Sequence, residues 1–445
     1  MIKKNIFLIF LSSIPSLLIC LFVYNNISII DVSVYDDKFI LAANQILLNG
    51  TYSDNYYLPL YPYLLAFIFK IFGTNLFYPI LLNSIFHGIS VFLIAKIAER
   101  FNKKWFYLSL ILGAIWPHLI WRTTYVYAET FFILLVVTSL YFLFSFIDKK
   151  RIFYLLISSF FLGLSLITKS SNIFVLFLLP FFLIYFFNNQ ITKSYFLSIK
   201  LVASYLLVLF IVLSFQFLRI YKETGYLGYN YQSGNALLSY VYPCLSTKFG
   251  CGKKNLDSMK KGMELYDNEL KISDSTDSEN RFYQNIVRKK IAIDLLKELD
   301  FKQSTISAIG GYTKLFFHNF TYDLFERFKI TTIHLTDFTG NFLIKIKKML
   351  YEIFQNKEIM FIWIISQFFL FFSRFIQILG FYSFLKSKDK IYDFLLLLVF
   401  FIPCIFPVLG QGTIRYRAPL EPLLIIFTIS GIFFLFHSIR KKLSN

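Results

Sequence analysis

Long uncharged apolar runs, separated by short gaps rich in Lys and Arg, limit what this chain can fold into more than any other feature. Ile6 to Val23 carries no charge, and neither do Leu155 to Ile167, Ile173 to Phe187, Leu201 to Leu218, Ile359 to Ser373, Phe394 to Gln411 and Pro422 to Ser438. A spanning helix needs about 20 mostly apolar residues. Several of these runs suffice alone, and the shorter ones extend into amphipathic flanks. A water-soluble fold could not hide them. The 445 residues are 57% hydrophobic, 20% aromatic and only 16% charged, with a mean hydropathy of +0.60, whereas soluble domains run nearer 45–50% apolar and about 25% charged. The chain reads as an all-α, multi-pass membrane protein.

The formal charge of +19 would suit a nucleic-acid binder, but its placement argues for topology and against nucleic acid. Cations crowd the gaps between apolar runs: Lys3-Lys4, Arg100 to Lys104, Lys149 to Arg151, Lys193, Lys386 to Lys390 and Arg440 to Lys442. Short basic loops close to helix ends mark the cytoplasmic side, and such cations also attract anionic lipid headgroups. The first run follows Lys3-Lys4, exceeds a usual signal-peptide core and lacks a clear cleavage site, so it reads as a retained helix.

With every basic gap inside, about ten crossings follow, at roughly 6–24, 77–97, 105–121, 127–147, 153–168, 172–187, 196–217, 359–385, 391–409 and 419–438, with both termini cytoplasmic. Three regions are expected: residues 1–217 as an N-terminal membrane region holding the chemistry, 218–357 as an external insert plus amphipathic surface segment, and 358–445 as C-terminal spans. From Arg219 to Lys302 the insert holds 14 Lys and Arg against 11 Asp and Glu, too many charges to lie in lipid. From Ile306 to Phe354 the sequence is amphipathic and expected at the membrane surface. Nearly all polar mass is therefore on the outer, periplasmic side of a bacterial inner membrane, where any chemistry is expected.

Cys20 and Cys404 fall within apolar runs and read as packing residues, whereas Cys244 and Cys251 share the insert sequence CLSTKFGC. In an oxidising compartment that pair is a candidate disulfide. His87, His118, His318, His334 and His437 are scattered and form no metal motif. No cofactor is indicated by the sequence, although a divalent ion is not excluded. The absence of Walker and GxGxxG loops argues against a nucleotide-sugar donor or ATP drive.

The first external loop is the most informative stretch. Asp31, Asp36 and Asp37 stand just outside the first run, then a helix-like segment carries Ala42 and Ala43 and stops at Asn49-Gly50. Leu58-Pro59-Leu60-Tyr61-Pro62 opens a second short helix. An Asp, an Ala-containing helix ending Leu47-Leu48-Asn49-Gly50-Thr51-Tyr52, and then Pro-x-x-Pro together resemble the first external loop of the GT-C superfamily of lipid-carrier-dependent glycosyltransferases. The resemblance is to the family 39 branch, which holds bacterial aminoarabinose and galacturonosyl lipid A/core transferases and protein O-mannosyltransferases. Tyr125-Val126-Tyr127-Ala128-Glu129 resembles that family's Tyr-Ala-Glu, Gly163 to Lys169 its Gly-Leu-x-x-Leu-Thr-Lys/Arg, and Arg415-Tyr416-Arg417-Ala418-Pro419 its Arg-x-Arg-x-Pro. These motifs cover roughly residues 1–190 and 405–440; the insert matches none of them.

The resemblance implies a GT-C-like bundle with interfacial helices in the first loop. It also implies an inverting enzyme that moves a sugar from a polyprenyl phosphate to a lipid, glycan or protein acceptor of the cell envelope, lipopolysaccharide among them. Displacement at an anomeric carbon passes through an oxocarbenium-like state, and the attacking hydroxyl needs a base. Alignment of the Ala-helix puts Asp36 on the family's loop Asp, with Asp37 able to share the role; both also suit plain helix caps. Lys169, Arg415 and Arg417 could hold the leaving phosphate or simply reach lipid headgroups. Glu129, at the outer start of an apolar run, could orient the acceptor or pair with Arg122 or Lys169; it also suits the first turn of a helix. Two competitors remain open. An O-antigen polymerase or ligase would work through Arg281, Arg288 or His318 of the insert. A flippase or other transporter would need charges lining the membrane midplane, of which the sequence shows almost none, and matched inverted halves, which it lacks.

Overall fold

A computed structural model describes residues 2–26, 34–51, 57–247, 256–272, 280–317, 344, 347–348, 351, 357–408 and 414–443. The described residues form helices and no strands. Seven helices are long and apolar enough to cross a membrane: Lys3–Asn25, Phe77–Phe101, Glu129–Lys149, Val175–Thr192, Tyr195–Thr224, Phe361–Lys386 and Arg415–Arg440.

We label the helices α1 (Ile2–Asn25), α2 (Val34–Asn49), α3 (Leu60–Phe72), α4 (Phe77–Phe101), α5 (Trp105–Ala114), α6 (Pro117–Thr123), α7 (Glu129–Lys149), α8 (Ile152–Leu166), α9 (Val175–Phe187) and α10 (Tyr195–Thr224). In the insert lie α11 (Leu256–Ile272), α12 (Arg281–Lys297) and α13 (Phe301–Phe317), followed by α14 (Lys357–Lys386), α15 (Ile391–Phe401) and α16 (Glu421–Leu443).

Three of the ten expected crossings are shorter than a full span, and proline explains two of them. A span over 105–121 was expected; instead α5 stops at Ala114 and α6 starts afresh at Pro117. A proline has no N–H to give and biases its predecessor away from helical dihedrals, and Trp116 is indeed extended at ψ 111°. The span expected over 391–409 becomes α15 and then a 3-10 turn, Ile402–Val408, which contains Pro403 and Pro407. The third, α8, has 15 residues. In the first loop, α2 ends at Asn49 with Gly50 at φ 69°, and α3 begins at Leu60, as the sequence indicates.

Helix α7 runs through the middle of the main core, with Phe132, Val137, Leu140 and Leu143 fully buried. The outward faces of α9, α10 and α14 instead show Phe181, Phe215 and Phe368, as lipid-facing helices should. Small residues set the closest crossings. A side chain at Gly380 of α14 would collide with the Phe427 carbonyl of α16, and one at Gly431 with the Ile376 carbonyl. The insert has its own small core around Leu238, Tyr242, Tyr266, Val287 and Leu295. Cys244 is buried and disulfide-bonded, and Cys20 and Cys404 are buried thiols. The expected partner, Cys251, lies outside the described residues, as do Ser275, His318 and His334.

Candidate active site

Glu129 is the first residue of α7 and has no solvent exposure. An acid in this position is favoured by the positive end of the helix, yet burying its charge is costly unless it is paired. Lys169 and Arg415 pair it. The Lys169 ammonium lies 2.8 Å from Oε1, and the Arg415 Nε donates to the same oxygen. Each cation comes from a backbone break. Lys169 is in extended conformation between α8 and the 3-10 turn Ser170–Asn172, and Arg415 lies on the 3-10 segment Ile414–Leu420. Burial pulls the Lys169 ammonium below the usual lysine range, while Glu129 pushes it back up.

Aromatic rings line the same place. The Arg415 guanidinium lies 4.3 Å from the centre of the Tyr127 ring, and Lys169 Nζ 5.6 Å from that of Tyr416. Tyr125 and Tyr127 stack at 5.0 Å. Among the described residues, two cations meet this one carboxylate. The second carboxylate oxygen, Glu129 Oε2, is buried with no hydrogen-bond partner among the described residues. The arrangement therefore offers an anion its countercharge and a hydroxyl its acceptor.

The first loop is joined to this cluster. The Leu60 amide of α3 donates to the Ile167 carbonyl at the hairpin tip, at 3.3 Å. Phe39 of α2 packs on Tyr61 at 5.2 Å and reaches Tyr127 at 6.4 Å. Asp36 and Asp37 belong to the first turn of α2, three and two residues before Phe39. Their side chains lie outside the described residues.

Arg417 goes elsewhere. It is 3% exposed and donates to Glu421 Oε1 at 2.7 Å and to the carbonyls of Leu315 and Phe316 at 3.1 Å each. The expectation of Arg415 and Arg417 acting side by side is thus not what the structure brings together. Arg415 meets Glu129, and Arg417 turns to a second buried cluster. There Glu421 also accepts from Trp116 Nε1 at 2.6 Å and contacts His118 Nδ1 at 2.8 Å. Arg122 Nε lies 3.2 Å from His118 Nε2. A guanidinium only donates, so Nε2 accepts and the imidazole proton sits on Nδ1.

The near-absence of charge expected inside the membrane needs correction, because Arg374 and Glu421 were both missed. Arg374 lies well within a 30-residue apolar helix, a position that demands an internal partner, and that signal was legible. Asn172, also missed, is fully buried, and neither its amide nitrogen nor its oxygen has a partner among the described residues. It sits three residues from Lys169 at the hairpin tip. No periodicity or charge pattern marks such a residue. In the insert, Arg288 lies 4.4 Å from the Tyr266 ring centre, within that region's own core. Among the described residues no three His, Cys, Asp or Glu side chains gather as a metal ligand set.

Residues 58–216 match the family model described as dolichyl-phosphate-mannose-protein mannosyltransferase. This match supports the GT-C superfamily. It contains Glu129, Lys169 and Asn172, and stops short of Asp36 on one side and Arg415 on the other. The crystal structure of ArnT from Cupriavidus metallidurans in the apo state aligns at 11% identity over 89% of this chain and 72% of that one, with a TM-score of 0.34, too loose a likeness to carry residue correspondences. No curated protein matches the chain.

Proposed function

We propose that the protein is a GT-C-type inverting glycosyltransferase. It takes a sugar from a polyprenyl-phosphate carrier and passes it to a lipid, glycan or protein acceptor of the cell envelope, at the periplasmic face of a bacterial inner membrane. One observation carries the reading: Lys169 and Arg415 both meet the buried Glu129, whose second carboxylate oxygen has no hydrogen-bond partner among the described residues, and Glu129 and Lys169 lie inside the segment that matches a mannosyltransferase family.

In this reading Lys169 and Arg415 hold the carrier phosphate and stabilise it as it leaves; fixed cations at developing charge are a large source of catalysis. Glu129 keeps both cations in place through Oε1, and its Oε2 receives a hydroxyl of the sugar or acceptor. Asn172 offers a further amide to the same ligands. Asp36, or Asp37 beside it, takes the proton from the attacking hydroxyl. The protein's own cations neutralise the leaving group, so no cofactor is called for. Lipid headgroups surround the basic ends, and the Cys244–Cys251 bridge closes a small loop of the insert.

The decisive experiment replaces the base. Asp36→Asn is expected to abolish transfer from a polyprenyl-phosphate sugar while the protein inserts and folds as before. Activity within a few-fold of the unaltered protein removes Asp36 from that role and moves the test to Asp37→Asn. Placement is checked separately by labelling single cysteines at Lys150, Lys388 and Ser275. The first two should react only from the cytoplasmic side and the third only from the periplasmic side; an inside location for Ser275 reverses the topology.

A further inference from the structure

The second buried cluster is not used by the chemistry proposed above. Glu421, 1% exposed, already serves Trp116, His118 and Arg417. Arg374, 7% exposed, turns to neutral acceptors: its Nε donates to the Phe316 carbonyl at 3.0 Å, and it also donates to Gln377, which in turn donates to Thr428 of α16 at 3.1 Å. Arg374 and Arg417 thus both direct hydrogen bonds to backbone carbonyls beside the Glu421 carboxylate.

Those carbonyls belong to the insert. Leu315 and Phe316 lie in the last described turn of α13, so two arginines of the membrane bundle, one on α14 and one just before α16, grip the same turn of the insert helix. Hydrogen bonds from charged donors are the stronger kind, and in a buried setting an arginine without its acceptors is costly. Leu315 itself is fully buried at this joint. Arg417 also shares the short 3-10 segment Ile414–Leu420 with Arg415. What fixes one end of that segment fixes the other.

We infer that Arg417 is a positioning residue: with Arg374 it latches α13 of the insert to the membrane bundle, and through Ile414–Leu420 it sets where Arg415 meets Glu129. The second half of this inference rests on the proposed role of Arg415 in transfer; the latch does not.

The full-length protein carrying Leu315→Cys, in native membranes, separates the two. A membrane-permeant maleimide is applied and the modified site is read by peptide mass mapping, with buried Cys20 and Cys404 as internal references. Arg417→Gln and Arg374→Gln should each speed labelling at residue 315 by about tenfold, the scale of one lost charge-assisted contact. Arg417→Lys, which keeps the charge and loses the fork, should fall between. Unchanged labelling in these variants overturns the latch. If Arg417→Gln does not accumulate, Arg417→Lys and Arg374→Gln decide alone.

Donor kinetics then test the positioning. If Arg417 acts through Arg415, the Arg415→Lys, Arg417→Lys double variant loses little more kcat/KM than Arg415→Lys alone, since coupled sites are non-additive. Losses that simply add overturn the positioning role. If the unaltered protein transfers sugar from no polyprenyl-phosphate donor, the functional reading fails, and the labelling result still judges the latch.

Discussion

Helix α7 carries an acid near each end, and the two are treated in opposite ways. At the start, Glu129 has no exposure and holds Lys169 and Arg415, two cations to one carboxylate. At the finish, the Asp148 side chain is 57% exposed and shares Arg100 with Asp393, one cation to two carboxylates. Arg100 donates to Asp393 through Nε and Nη2, at 2.7 and 3.3 Å, and to Asp148 through Nη1, a geometry that joins the ends of α4, α7 and α15. At the first end the acid is buried and one of its oxygens has no partner among the described residues. At the second, Asp148 is open to water while Arg100 and Asp393 are mostly covered. The cations at the two ends are about equally covered; what differs is the acid, buried and shared by two cations at one end, exposed and competing for one cation at the other.

The largest effect expected from this contrast is at Glu129. Glu129→Gln leaves Lys169 and Arg415 without their buried carboxylate, and breaking a buried pair costs about 3–5 kcal/mol. Thermal unfolding should show that loss, and transfer should fall well beyond a hundredfold. A variant as stable as the parent would mean that the cations are solvated and that the contrast is false.

Next comes Lys169→Met, for which one lost charge-assisted contact predicts roughly a 10- to 150-fold fall in turnover at limiting donor. Lys169→Arg should retain part of the activity. Turnover unchanged at limiting and saturating donor alike would reduce Lys169 to a lipid contact.

At the other end, Arg100→Met should lower stability by about 1–3 kcal/mol while transfer per folded molecule stays as it was. A fall in transfer with no fall in stability would show that the two ends of α7 are coupled. The smallest effect belongs to Asp148→Asn, expected below about 1 kcal/mol and fading with salt, as exposed pairs do. A loss as large as that of Arg100→Met would show that Asp148 is less solvated than its exposure indicates.

Much of this arrangement was legible in the sequence. Apolar runs with basic gaps announced the spans, and Asn49-Gly50 announced the end of α2, because each depends on local chemistry alone. Glu129 and Lys169 stood out as charges bordering apolar runs. The partnership of Arg415 with Glu129, and of Arg417 with Glu421, was not legible: two arginines two residues apart look equivalent until the 3-10 segment sends them to different neighbours. Asn172 gave no sign, since its burial depends on how the hairpin tip is enclosed. Arg374 follows directly on the uncharged run ending at Ser373, in a helix that continues to Lys386, so its place inside a span could have been read from the sequence.

The shortness of α8 has a consequence for the lipid around it. Fifteen residues at about 1.5 Å each reach roughly 22 Å, against a hydrocarbon layer of about 30 Å. A helix that falls short is met by local thinning of the bilayer or by flanking polar side chains reaching out. Lys169 follows the end of α8 by three residues. Thinning on that side would lower the plane of lipid phosphates toward the Lys169 ammonium.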